Sequence, residues 1–444
     1  MKWTIEDAPE CFKEIIAGIN YSKHFGPQWP TIICEPPEWD IENYLEQINF
    51  DNLCTVASNL RGGVACKITG ETFGHYNLIY FVEFEDDVQW VARIPLLWRQ
   101  YTCDDKSVEE AVQRRLFESM VAAQTYARVK KGVFAPEIYA AFMDKDNPVG
   151  VPFVFMKRIL ESYWVNEENI GFWRLDENIG HMQDGPLRTV FRDLAREMVS
   201  LASPPYFTSI GSLYQNPNTY YVGPMLAIAS LQDGPVELDK RGPYSTVEEY
   251  FLSCLNRHAN VALQEQNRAL YMQSTRLRAL LPDLIDPLYN EGPFILSPFD
   301  WDSRDIFFSN DHLLKGVIDW DFATVVPVQA FFRYPPFMTR DWLLGTKSFE
   351  MERYRRLFRE CLAEIQDETE FPLLELLDQS RWFQMLDEGI QSSEVGSQVL
   401  PLLEAYVEAQ RNKQVEAKAF HVVKGTPVMR EVRSPPRKKA AIGE

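Results

Sequence analysis

Six aspartates fall within the 22 positions from Asp300 to Asp321, inside the stretch LSPFDWDSRDIFFSNDHLLKGVIDWDFA. Asp300 and Asp305 stand five positions apart, the first on a loop and the second at the head of the apolar segment IFF. Asp319 follows after a turn, SNDH, and a second apolar segment. Carboxylates brought within a few ångströms raise one another's pKa unless a cation intervenes. A hard divalent cation carrying bound phosphates resolves that repulsion, because such ions take oxygen ligands. The ordinary alternative is solvation. Asp319 and Asp321 alternate with Ile318, Trp320 and Phe322, so both carboxylates are expected to leave one face of a strand, and a lone DxD of this kind more often simply meets water. The grouping favours chemistry: one carboxylate on a loop, one at the start of a strand, one on the neighbouring strand.

The elements that must position these residues follow from periodicity. The segment GVACKITGETFGHYNLIYFVEFEDDVQWVARIP alternates with period two and predicts three antiparallel strands, with a glycine-bearing turn at Gly70 to Gly74 and an acidic turn at Glu85 to Asp87. A helix follows, with Ser107 and Glu110 as a capping box, apolar residues at Val108, Ala111, Val112, Phe117, Met120 and Val121, and Gly132 after a basic last turn. Val151 to Met156 reads as another strand. Beyond about Leu160 the spacing turns helical, interrupted by two short apolar strands near Ile306 and Val317. The organisation is α+β and bilobal: an extension over 1–60, a small antiparallel-sheet lobe over 61–159, a larger, mostly helical lobe over 160–410, and a tail over 411–444.

The whole chain bounds the function. Its 444 residues, 45% of them apolar, are ample for two or three cores. The start MKWTIEDAPECFKEIIAGIN has no apolar signal-like core and no run of about 18 apolar residues occurs, so a cytoplasmic protein is expected. Seven scattered cysteines without a CxxC read as reduced thiols, and the absence of HExxH or a His/Cys cluster argues against zinc. The net charge of −19 argues against a general nucleic-acid binder. Residues 411–444 hold nine Lys or Arg against three Glu, leaving −25 on the remainder. The tail reads as disordered and solvated, with nuclear targeting or docking of a protein partner as the alternative.

The aspartate-rich segment resembles the catalytic loop and metal-binding segment of the kinase fold, in which an Asp accepts the substrate hydroxyl proton, a ligand five residues on holds a metal ion, and an Asp on the following hairpin holds the metals bridging the phosphates. It resembles more specifically the aminoglycoside phosphotransferase and choline kinase-like family, whose usual form is HGDLHxxNILV followed by GxIDWE. WVARIP, FAPEIYAAF, FTSIGSLY, GPYSTVEEYF and GVIDWDFA recur in the order of the fungal-type members, across roughly residues 60–410. The resemblance implies a protein-kinase-like fold and an ATP- and Mg²⁺-dependent transfer to a small-molecule hydroxyl. Asp300 would be the base, and Asp305 with Asp319 the metal ligands. Gly70 and Gly74 would form a phosphate lid, although an ordinary hairpin explains that GxxxG equally well. Arg93 would take the place of the strand lysine, with a bidentate fork instead of a point charge. Glu118 would orient Arg93; its plain helical reading is a pair with Arg114 or Arg115. Met156 to Arg158 would form a hinge whose backbone groups meet an adenine edge.

Two departures bear on activity. The family histidine two residues before the base is Pro298 here, and the metal-binding Asn is Asp305. Proline fixes φ and removes a donor. An Asp keeps the oxygen ligand but adds charge. The alternative function is therefore a catalytically degenerate kinase-like protein that binds nucleotide or a protein partner. No phosphorylatable activation segment follows IDWD, so a small-molecule acceptor is expected over a protein. Asp302 and Asp321 beside the base suggest a cationic acceptor, such as an amino-alcohol.

Overall fold

A computed structural model describes residues 44–73, 77–96, 106–159, 163–165, 168–170, 172–217, 219–226, 241–298, 301–343, 348–391 and 393–424. Gly74 and Asp300 lie outside the described residues, as do the side chains of Ser107 and Glu110.

The small lobe begins with helix α1 (Phe50–Leu60), capped where the Asn49 side chain accepts from the Asn52 amide. Three strands, β1 (Cys66–Phe73), β2 (Asn77–Phe84) and β3 (Gln89–Pro95), follow as an antiparallel meander. Helix α2 (Lys106–Lys131) ends at Gly132, whose φ of +72° is the left-handed conformation a glycine adopts at no steric cost. Strands β4 (Ile138–Phe142) and β5 (Phe153–Lys157) complete a five-stranded sheet of order β1-β2-β3-β5-β4, antiparallel throughout.

Period-two alternation divides this sheet into two faces. Leu78, Tyr80, Val82 and Phe84 of β2 join Trp90, Ala92 and Ile94 of β3 in one core, which also takes in Tyr44, Ile48, Leu53 and Ala57. The end of the expected N-terminal extension is thus bound to the sheet, and the Tyr44 hydroxyl donates to the Pro95 carbonyl at 3.0 Å. Asn77, Phe81 and Arg93 belong to the opposite alternation. The expected glycine turn is shifted: β1 runs through Gly70 as far as Phe73, with a register irregularity between Ile68 and Gly70. Gly70 pairs with Phe81, and a Cβ on Gly70 would stand 3.3 Å from that ring. Close packing, not a turn, accounts for this glycine.

The large lobe has its own core. Its main elements are β6 (Trp173–Arg174), α3 (Asp184–Leu201), β7 (Gly211–Gln215), β8 (Tyr220–Gly223), α4 (Val247–Gln264), α5 (Arg268–Leu284), β9 (Phe294–Ser297), β10 (Ile306–Phe308), β11 (Leu314–Val317), β12 (Thr324–Pro327), α6 (Phe349–Glu364), α7 (Leu373–Gln391) and α8 (Ser393–Lys424). The amphipathic α3 buries Leu187, Val190, Phe191, Leu194 and Met198 at its centre. The strands form two short sheets, β8-β7-β12-β9 and β11-β10-β6. The sheet-bearing small lobe and the helical large lobe make the architecture α+β and bilobal. Helix α8 continues past position 411 to Lys424, so the expected tail boundary falls within a helix, and 425–444 lie outside the described residues.

One buried acid ties α3 to the strand that leads into the aspartate-rich segment. The Phe134 amide donates to Glu197 at 2.7 Å, and the Phe134 carbonyl accepts from Val317 of β11 at 2.9 Å. Burial raises the Glu197 carboxyl from 4.5 to about 7, with the Phe134 bond opposing and Asp193 adding. A raised carboxyl pKa contributes stability that is complete below the unfolded value and is lost as pH rises through the folded one. Glu197→Gln is therefore expected to flatten the decline of Tm between pH 4.5 and about 7. The pH-dependent difference between variant and parent should be on the order of 3 kcal/mol in denaturant titrations.

Candidate functional site

Arg93 is the residue on which the site converges. It lies on β3, on the face opposite Ala92 and Ile94, and is 7% exposed. Its Nη2 donates to Asp321 Oδ2 at 2.6 Å and to Asp319 Oδ1 at 3.2 Å. Asn77, at the first position of β2, donates to the same Asp321 Oδ2 at 2.8 Å. Two strands of the small lobe are thereby fastened to one loop of the large lobe. Burial works against the Arg93 charge, but Asp321, then Asp319, then Asp305 more than offset it, and its pKa lies above the ordinary arginine value.

The loop reaches Arg93 by leaving the strand. β11 ends at Val317, and Asp319 and Phe322 have φ values of +63° and +59°. Aspartate tolerates this left-handed region better than most side chains. The two carboxylates therefore do not share a strand face as their alternation suggests; a turn brings both to the same guanidinium. Trp320 between them is fully buried and its indole donates to the Val317 carbonyl at 3.1 Å, which holds the turn against the core. Asp305 is placed by a backbone bond, its carbonyl accepting from Ile318 at 2.9 Å.

Asp302 serves this loop from beneath. Its side chain is fully buried, accepting from Arg340 Nη2 at 2.8 Å, Arg304 Nε at 3.1 Å and the Arg304 amide at 3.2 Å. Burial pushes its carboxyl up, but Arg340 and Arg304 more than offset that and hold it below the usual range. The expectation that Asp302 and Asp321 wall a cationic acceptor site is corrected on this point: Asp302 is sealed by two arginines, and Asp321 is spent on Arg93 and Asn77.

Other expected residues are placed differently. Glu118 does not meet Arg93. It accepts from Arg114 at 2.8 Å, one helical turn away, because Arg93 is already engaged by the aspartates. Met156 sits within β5 between β3 and β4. The Lys157 amide donates to the Glu137 carbonyl and the Arg158 amide to the Gln89 carbonyl. The Arg158 guanidinium lies 3.7 Å from the centre of the Phe81 ring and donates to the Gln89 side chain at 2.8 Å. Gly70 and Arg158 are thus brought together, through Phe81. The sequence reading missed Asn77 and Arg340. An asparagine opening an otherwise apolar strand was the available signal for the first; Arg340, distant in sequence from the loop it holds, gave none.

A divalent cation fits the donor set. Asp305 and Asp319 supply hard oxygens, Arg93 engages only one Asp319 oxygen, and Asp319 keeps 30% of its side chain exposed. Among the described residues no group of three His, Cys, Asp or Glu is gathered to hold a metal by itself. Two carboxylates with the remaining ligands from phosphate and water is a usual arrangement for Mg²⁺.

No protein-family model matches the chain. The chain is similar in fold to a candidate fructosamine-3-kinase of Thermobifida fusca, with 15% identity, a TM-score of 0.44, and coverage of 81% of this chain and all of that one. It is similar to an aminoglycoside phosphotransferase solved with AMP-PNP and hygromycin B, at 15% identity, a TM-score of 0.40, and coverage of 81% and 99%. A third likeness is to an ethanolamine kinase of Plasmodium vivax, at 12% identity, a TM-score of 0.41, and coverage of 82% and 91%. In sequence, the chain is 28% identical over 197 residues to Altered inheritance of mitochondria protein 9 of Zygosaccharomyces rouxii. That match takes in 42% of this chain and 28% of the relative's length. No helix among the described residues is long and apolar enough to cross a membrane.

Removing the buried Arg93 cation leaves two half-buried carboxylates facing one another. Arg93→Met is expected to cost about 3–5 kcal/mol in urea unfolding, as breaking a buried pair from one side does. Adding Asp321→Asn should return part of that loss. Strict additivity of the two changes would mean the pair does not couple.

Proposed function

We propose that this protein is an ATP-dependent phosphotransferase acting on the hydroxyl of a small molecule. The observation that carries the reading is the charge balance at Arg93. One guanidinium lies in the field of three carboxylates, Asp321, Asp319 and Asp305, whose combined pull outweighs the cost of burying its charge. A divalent cation held beside these carboxylates would add positive charge at the cluster and take phosphate oxygens as further ligands. The order of motifs from WVARIP to GVIDWDFA supports the same assignment.

In this reading Asp305 and Asp319 hold Mg²⁺, which when bound would draw the phosphates together and neutralise their charge. Arg93 stays protonated throughout and, with Asn77 steadying Asp321 beside it, presents a fixed positive charge toward the phosphates. Asp300 takes the proton from the acceptor hydroxyl. Asp302, locked by Arg304 and Arg340, fixes the loop that follows Asp300. Phosphoryl transfer asks mainly for positioning and charge compensation, and this division of labour supplies both. Gly70, Met156, Arg158 and Glu118 have supporting parts: Gly70 and Arg158 frame Phe81, Met156 packs in the shared core, and Glu118 braces α2.

The test is Mg²⁺-dependent ATP binding and turnover against a panel of small hydroxyl compounds. Asp300→Asn is expected to bind ATP normally and lose about 10²- to 10⁴-fold in turnover, the usual contribution of a general base. Asp319→Asn is expected to lose the Mg²⁺ dependence of binding. Nucleotide binding by the parent with no transfer to any acceptor would favour the degenerate kinase-like alternative, and no nucleotide binding at all would overturn the phosphotransferase reading.

A further inference from the structure

An open pocket lies between α6 and α7, with a volume of about 590 Å³, within the size range of small-molecule sites. Four arginines reach it: Arg355, Arg356 and Arg359 from α6 and Arg381 from α7. Against them stand Glu360 and Asp378 in the wall, with Asp341 and Asp184 as further partners of the same arginines.

Three of these arginines are satisfied within the protein. Arg355 donates two hydrogen bonds to Asp341 at 2.6 and 2.9 Å, Arg359 donates two to Asp378 at 3.0 Å each, and Arg356 bridges Glu360 and Asp184 at 3.2 Å each. Arg381 is different. Among the described residues it has no hydrogen bond or ion pair, and its Nε is buried without an acceptor. Its guanidinium is held between aromatic rings, 5.5 Å from the centre of Trp342 and 5.4 Å from that of Trp382. Rings of this kind favour the cation but accept none of its directed hydrogen bonds. A buried guanidinium nitrogen left unpaired costs free energy that a charged oxygen would recover.

We propose that this cavity is a binding site for a small molecule bearing a phosphate or carboxylate group, with Arg381 as its principal donor and the apolar remainder of the ligand against Trp342 and Leu377. The site is separate from the Arg93 cluster and does not depend on the phosphotransferase reading. It is nevertheless connected to the aspartate-rich loop, since adjacent residues join the two: Arg340 holds Asp302 and Asp341 holds Arg355.

The experiment is calorimetric titration of the full chain with inorganic phosphate, pyrophosphate and citrate at constant ionic strength. Saturable binding in the millimolar range or tighter is expected for at least one of them, pyrophosphate over citrate assigning the site to phosphates and the reverse to carboxylates. Arg381→Gln should weaken binding about 10- to 100-fold, the loss of one charge-assisted contact. Arg356→Gln, at a half-exposed position, should weaken it less and serves if Arg381→Gln fails to fold. Asp319→Asn should leave it unchanged. Failure of all three anions to bind, or binding equally strong in both arginine variants, would overturn the proposal.

Discussion

A buried arginine between two lobes constrains everything around it. Arg93 reaches from the small sheet into a loop of aspartates and is the cation that permits them to stand together. Without it, Asp319 and Asp321 would repel each other in a setting where water screens poorly. With it, the two carboxylates share one cation. The same contact that joins the lobes therefore also defines the chemistry the junction can support.

The rest of the fold can be understood as the means of aiming that contact. Strand alternation commits Ala92 and Ile94 to the outer core and so leaves Arg93 to the other side. A turn with two left-handed residues lifts Asp319 and Asp321 off the end of β11, while buried Trp320 pins the turn down. Glu197 and Phe134 fix the strand behind it, and Asp302 with its two arginines fixes the loop before it. Each device is a buried polar group with its partners in place, which is how a protein holds charge away from water without losing stability.

The comparison of Asp302 with Asp321 explains why reading carboxylates from sequence has limits. Both look like solvated acids flanking a base. In the structure one is a structural counter-charge for Arg304 and Arg340, and the other is the closest partner of Arg93. Glu118 shows the reverse: a catalytic-looking position whose local helical partner, Arg114, claims it first. Local pairing at one helical turn needs no tertiary arrangement, so it prevails wherever the distant partner is already occupied.

The sequence by itself determined the elements and their faces. Period-two alternation, helical spacing and the glycine at position 132 set out the meander, the long helix after it and the helical character of the remainder, because these depend on residues a few positions apart. It also singled out Arg93, Asp319 and Asp305 as one group, and the fold sets the first two in contact. Only the tertiary structure decided which carboxylate meets which cation. Asn77 joins Asp321 across 244 positions, Arg93 joins it across 228, and Arg340 joins Asp302 across 38. Charge pairing acts through space and over a few ångströms, and the turn that brings these groups within reach is fixed by packing around Trp320, which no local spacing records.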